Sequence, residues 1–200
     1  MRAIWLCGAL LLAAAPALGQ PSAQMLKQMC AQVPCRKVAT LTLRRADGGM
    51  GQVDTNAYPY LDPNGNVILY PGETISIAVK ADGSGKPRLL KAADAAGMHE
   101  FAQAKAGEKT LIFQLKQMPD KPDMVLTASN TTTAVIKYDV VITAATDKGI
   151  KQGPTSTCPL SAPSKGAPDF RGVESWPYPI FEMLIHDIRP LGKSTPRACE

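Results

Sequence analysis

Hydrophobic and polar residues alternate with a period of two along most of this chain. Ala39, Leu41 and Leu43 alternate with Thr40, Thr42 and Arg44, and Ile75, Ile77 and Val79 with Ser76, Ala78 and Lys80. Leu111, Phe113 and Leu115 repeat the pattern. The longest run, Thr132–Ala144, sets Ala134, Ile136, Tyr138, Val140 and Ile142 on one face. Val67–Tyr70, Met124–Thr127 and Ile180–Ile188 are further strand candidates. Strand residues two apart share a face, so the pattern predicts strands with one face buried and one wet.

Turn chemistry divides these runs: Asp62-Pro-Asn-Gly-Asn66, Pro71-Gly72, Asp82-Gly-Ser-Gly-Lys-Pro87, Met118-Pro-Asp-Lys-Pro122, Ser129-Asn130 and Asp147-Lys-Gly149. Short half-polar strands with frequent turns predict an all-β fold, an antiparallel β-sandwich. An immunoglobulin-like topology is expected on architecture alone, since the Cys and Trp spacing of antibody domains is missing. Ser22–Gln32 departs from the pattern. Met25, Leu26, Met29 and Cys30 fall on one helical face and Ser22 can cap it, which predicts a short N-terminal helix. Alanine-rich Ala92–Ala106 reads as a short helix or an irregular crossover. Gln152–Ser175, rich in proline, glycine and serine, reads as a long loop over the body of the domain.

The first residues belong to an address and not to the fold. Arg2 precedes an apolar run from Ile4 to Ala15, with small residues at Ala17 and Gly19. This is the signature of a secretory signal peptide cleaved after Gly19. Cys7 lies within the apolar run, away from a lipoprotein position. The expected organisation is a leader over 1–19 and a single domain over 20–200. Within that domain, 20–35 would form the helix and a cystine loop, 36–150 the sandwich body and 151–200 a disulfide-tied tail. No other run is long enough for a membrane helix, so the expectation is a periplasmic or secreted protein.

Export changes the meaning of the cysteines. Cys30, Cys35, Cys158 and Cys199 remain after cleavage, and an even number in an oxidising compartment implies disulfides. Of the three possible pairings the expected one is Cys30–Cys35 and Cys158–Cys199, one closing a local loop and the other tying down the tail; the rival is a long-range pair joining the two ends of the chain. Cys30 and Cys35 are too far apart for the Cys-x-x-Cys motif of redox catalysts.

Composition narrows the chemistry. With 45% hydrophobic residues the chain is no disordered polymer, and only 6% are aromatic. The net charge of +5 is dispersed, without the basic–aromatic clustering of a nucleic-acid surface, so no nucleic-acid partner is expected. The two histidines, His99 and His186, stand in no zinc or blue-copper spacing, so no metal or cofactor is expected. Asp187 follows His186 directly, but adjacent strand side chains face opposite ways, and no Gly-x-Ser-x-Gly occurs. Asp62, Asn64, Asn66 and Glu73 match EF-hand positions, yet Val67 replaces the required glycine, and a tight turn is the simpler account. Asn130-Thr131-Thr132 is formally a glycosylation sequon.

Two aromatic–proline segments remain, Tyr58-Pro59-Tyr60 and Trp176-Pro177-Tyr178-Pro179-Ile180-Phe181. Proline keeps them at sheet edges or outside strands. Tyr58, Tyr60, Trp176, Tyr178 and Phe181 are therefore the candidate binding residues, or else they pin the long loop to the sandwich. With no catalytic motif, the expectation is a non-catalytic binding or assembly module contacting a protein of the cell envelope. A hydrolase of envelope polymers and a small secreted inhibitor or immunity-type protein are the alternatives.

Overall fold

In the computed structural model, residues 22–146, 149–164, 170–192 and 199 are described. The leader predicted over 1–19 lies outside them. The short helix α1 (Ala23–Cys30) is capped by Ser22, whose hydroxyl accepts the Met25 amide. Twelve strands follow: β1 (Thr40–Arg44), β2 (Met50–Asp54), β3 (Val67–Leu69), β4 (Thr74–Lys80), β5 (Arg88–Asp94) and β6 (Gly97–Glu100). Then come β7 (Glu108–Gln117), β8 (Met124–Asn130), β9 (Ile136–Thr146), β10 (Gly149–Thr155), β11 (Phe170–Trp176) and β12 (Ile180–Pro190).

Two antiparallel sheets form the sandwich, a four-stranded one ordered β10-β9-β12-β3 and a six-stranded one ordered β11-β8-β7-β4-β5-β6. The alternation in the sequence becomes the core. Ile75 and Ile77 of β4, Leu111, Phe113 and Leu115 of β7, and Ile136, Tyr138 and Val140 of β9 are all essentially inaccessible. The Phe113 and Tyr138 rings meet edge-to-face at 5.4 Å. Gly83 shows why a turn needs its glycine. It turns with φ +80° directly over Ile136, where a Cβ would collide with the isoleucine methyl.

Among the described residues, the main core begins at Tyr60. The N-terminal segment forms an outer layer instead. Leu26 of α1 and Leu41 of β1 pack on Tyr58, Ile68, Tyr70 and Leu184, on the outward face of the four-stranded sheet. Residues 34–36 extend that sheet through the Cys35–Pro59 bridge and the Arg36 amide bond to Tyr58 O.

Both expected disulfides form, Cys30–Cys35 and Cys158–Cys199. Two local expectations differ. Ala92–Ala106 holds no helix; it supplies the end of β5, a turn at Ala95–Ala96 and β6. Ala92 is fully buried against the core, where a small side chain suits a strand crossing it. Gln152–Ser175 is strand at both ends, as β10 runs to Thr155 and β11 starts at Phe170. Both are edge strands, which tolerate the proline and glycine that hide the period-two signal. Among the described residues, no helix is long and apolar enough to cross a membrane.

Candidate functional site

The five candidate aromatics separate into two groups. Tyr58, Tyr60 and Trp176 turn inward, each less than a tenth exposed. Tyr58 belongs to the outer cluster with Ile68 and Tyr70. Tyr60 enters the main core and donates its hydroxyl to Asp94 Oδ2, while Trp176 donates its indole N–H to Thr155 Oγ1 at 2.9 Å. Tyr178 and Phe181 stay half-buried and, with Pro179, form one wall of a surface groove.

That groove encloses about 500 Å3 and its lining is mainly apolar. Its other wall is the inner face of the β1–β2 hairpin, with Leu43, Gly51 and Val53, and Thr146 closes the end of β9. The register explains the wall. Leu43 pairs with Gly51 and Leu41 with Val53, and opposite residues of an antiparallel pair share a face. Arg45 and Asp47 stand at the rim. The Arg45 guanidinium meets Asp47 Oδ2 at 2.6 Å, and Asp47 Oδ1 accepts the Gly49 amide, so the charges shape the turn. Leu43 was legible as a strand residue; Val53 was not, because Met-Gly-Gln-Val-Asp carries too few apolar positions to register as a strand.

The histidines lie elsewhere. His99 Nε2 is 3.0 Å from Asp94 Oδ1, on a carboxylate that also accepts the Tyr60 hydroxyl and the Ala96 amide. Burial acts to raise the Asp94 pKa, but these hydrogen bonds outweigh it and leave it below the ordinary carboxylate range. The Tyr60 hydroxyl is pushed upward, first by burial and then by its bond to Asp94. His186 faces Asp139 across the β9–β12 pair, in a shallow depression with Lys137, Thr155, Ser156 and Arg189. Arg189 bonds both Asp139, at 2.8 Å, and Asp187. Among the described residues no hydrogen bond joins Ser156 to His186, although both line that depression.

The remaining motifs resolve as structure. Asp62 Oδ1 accepts the amides of Asn64 and Asn66, closing the predicted turn, and Glu73 is ion-paired to Arg36 instead of facing a calcium loop. Asn130 is fully buried; its Nδ2 donates to the carbonyls of Ala134, Leu160 and Ser161, and its Oδ1 accepts the Thr132 amide. The folded sequon thus hides its own acceptor nitrogen. Among the described residues, no group of three His, Cys, Asp or Glu side chains is placed to hold a metal ion.

No protein-family model, curated protein or solved structure matches this chain.

Proposed function

We propose that the chain is an exported, non-catalytic binding or assembly module of the cell envelope, immunoglobulin-like in its broad architecture. It holds a protein partner through the groove bounded by Tyr178, Pro179 and Phe181. The observation that carries this reading is the groove itself, a concave apolar surface with two half-buried aromatic rings. Aromatic side chains in such positions supply most of the binding energy in protein interfaces. Export is supported by the leader signature over 1–19 and by two disulfides, which persist in oxidising compartments.

A photo-crosslinking side chain at position 181, in the full chain expressed in its native envelope, should join one partner reproducibly. The same side chain at exposed Val173 should not. Phe181→Ala should weaken capture at least tenfold, about 1.4 kcal/mol, with the urea midpoint little changed. Equal capture from both positions would defeat the proposal. Trp176→Ala is unsuited to this purpose, because that ring is part of the core.

A further inference from the structure

Strand β2 lines the groove and has one free side. It pairs with β1 alone among the described strands, in a hairpin that belongs to neither sheet. The Arg45 amide donates to Gly49 O and the Thr55 amide to Ala39 O, which fixes the alternation of the ladder. Leu43–Gly51 and Leu41–Val53 are therefore the pairs bonded inside the hairpin. The N–H and C=O groups of Met50, Gln52 and Asp54 point away from β1, and no described residue bonds them. On β1 the corresponding groups of Arg44 are satisfied by Gln117, the Arg44 amide donating to Oε1 at 2.7 Å and Nε2 donating to Arg44 O at 2.9 Å. Folded proteins guard free edges with lysine, proline or bulges. Edge strand β10 carries Lys151 and Pro154, and β2 carries neither.

The face of β2 that lines the groove is apolar and electrically neutral. Gly51 and Val53 lie on it, with Tyr178, Pro179 and Phe181 on the other wall. The aliphatic stem of Arg45 covers Gly51, its Cδ 3.2 Å from where a Cβ would stand. Arg45 and Asp47 are the two charged residues of the lining, and they pair with each other at 2.6 Å. A charged side chain entering here would lose water and meet no free counter-ion, so the lining selects an uncharged occupant. A compact apolar group could fill the groove, but it would leave the backbone groups of β2 unused. An extended peptide meets both conditions, because alternate side chains enter the groove while its backbone bonds the edge.

We propose that the groove's protein partner binds by strand addition. An extended, uncharged segment of it pairs with the outward groups of Met50, Gln52 and Asp54. Every second side chain of that segment, apolar, enters the groove on the face of Gly51 and Val53, and the side chains between them share the polar outer face of Gln52. This binding mode rests on the groove reading and adds to it the class of ligand. The rings supply apolar contact, and the β2 backbone fixes the register of the segment. A two-stranded ribbon is marginal by itself, so the added strand also steadies the hairpin that forms the wall.

Amide hydrogen exchange of the full chain tests this, with a short capped peptide of alternating valine and threonine as the probe. The peptide should slow exchange at Met50, Gln52 and Asp54 about tenfold or more at saturation. Gly51 and Val53, whose amides already face β1, should change little. In an added strand only one alternate set of peptide amides faces β2. N-methylation of that set should therefore abolish the protection, and N-methylation of the other set should preserve it. Gln52→Pro deletes one outward N–H without touching the β1–β2 ladder and should weaken peptide binding about tenfold. Unchanged exchange at all three amides overturns the proposal, as does protection indifferent to which set is methylated. Crosslinking from position 181 tests the groove separately. A partner joined there equally by the native chain and by Gln52→Pro upholds the groove and overturns strand addition.

Discussion

Arg36 and Glu73 form an ion pair buried between the N-terminal layer and the sandwich, Nε to Oε1 at 2.7 Å and Nη2 to Oε2 at 3.0 Å. The remaining guanidinium hydrogens reach the carbonyls of Tyr58, Pro59 and Ile68, and the Tyr60 and Tyr70 rings lie 4.6 and 4.4 Å from its carbon. Glu73 also accepts the Tyr70 amide. Burial raises the Glu73 pKa, and the adjacent Arg36 offsets only part of that. The pair docks the layer that forms one wall of the groove.

Removing one partner leaves the other charge buried alone. Arg36→Ala or Glu73→Ala should each cost about 3–5 kcal/mol in urea unfolding. Arg36→Met with Glu73→Leu should cost much less than the sum of Arg36→Met and Glu73→Leu made singly, because neither charge is then stranded. Additive losses in the double-mutant cycle would show that the two side chains act independently.

Asn130 anchors the turn between β8 and β9 by satisfying three carbonyls at once. Asn130→Asp keeps the Oδ1 acceptor for Thr132 but removes every donor and buries a charge. The expected loss is about 3 kcal/mol or more, read from the urea midpoint. Expressed in a glycosylating host, the folded chain should carry no glycan at Asn130, and peptide mass spectrometry would detect one.

The two disulfides close loops of very different length, with separations of 5 and 41 residues. In the chain-entropy model these contribute about 2 and about 4 kcal/mol respectively. Cys158→Ser with Cys199→Ser should therefore lower the urea midpoint more than Cys30→Ser with Cys35→Ser. An equal or reversed order would point to native-state packing as the stronger influence.

The fold was legible where one face of a strand is buried against the sandwich core. Ile75, Ile77, Leu111, Phe113, Tyr138 and Val140 announce themselves because each alternates with a polar neighbour or an outward-facing one. It was illegible at the edges, where β2, β6, β10 and β11 bury too little to impose a period on the sequence. The groove was half legible. Proline marked Tyr178 and Phe181 as lying at sheet edges or outside strands. Phe181 instead belongs to the internal strand β12, at the irregularity between Ile180 and Glu182. The same signal pointed equally at Tyr58, Tyr60 and Trp176, which the fold draws inward. Proline interrupts the ladder between Trp176 and Ile180, but it does not say which neighbouring rings face water. The second wall, at Val53, depends on a hairpin folding back across the sheet, and local pattern does not encode that distance.

Glu174 couples the crossover between β10 and β11 to the core. Its Oε1 accepts the Tyr138 hydroxyl at 3.0 Å and the Cys158 amide at 2.9 Å. Burial raises its pKa above the ordinary 4.5, against the opposing pull of these hydrogen bonds and of Lys137. A raised carboxyl pKa means that the folded state holds the proton more tightly than the unfolded chain. Its contribution to stability is therefore fully present below 4.5 and is lost as pH rises through the folded-state value. Glu174→Gln keeps a carbonyl acceptor in place of the carboxylate and cannot titrate. The stability of the native chain minus that of the Gln variant should thus fall as pH rises from 4.5 and then level off. Asp94 and Asp139, both held below the ordinary range, act in the opposite sense and lose their contribution only under stronger acid. Their effect is common to both proteins and cancels in the difference. Urea unfolding at a series of pH values measures that difference, and a rise with pH would mean that hydrogen bonding, not burial, dominates at Glu174.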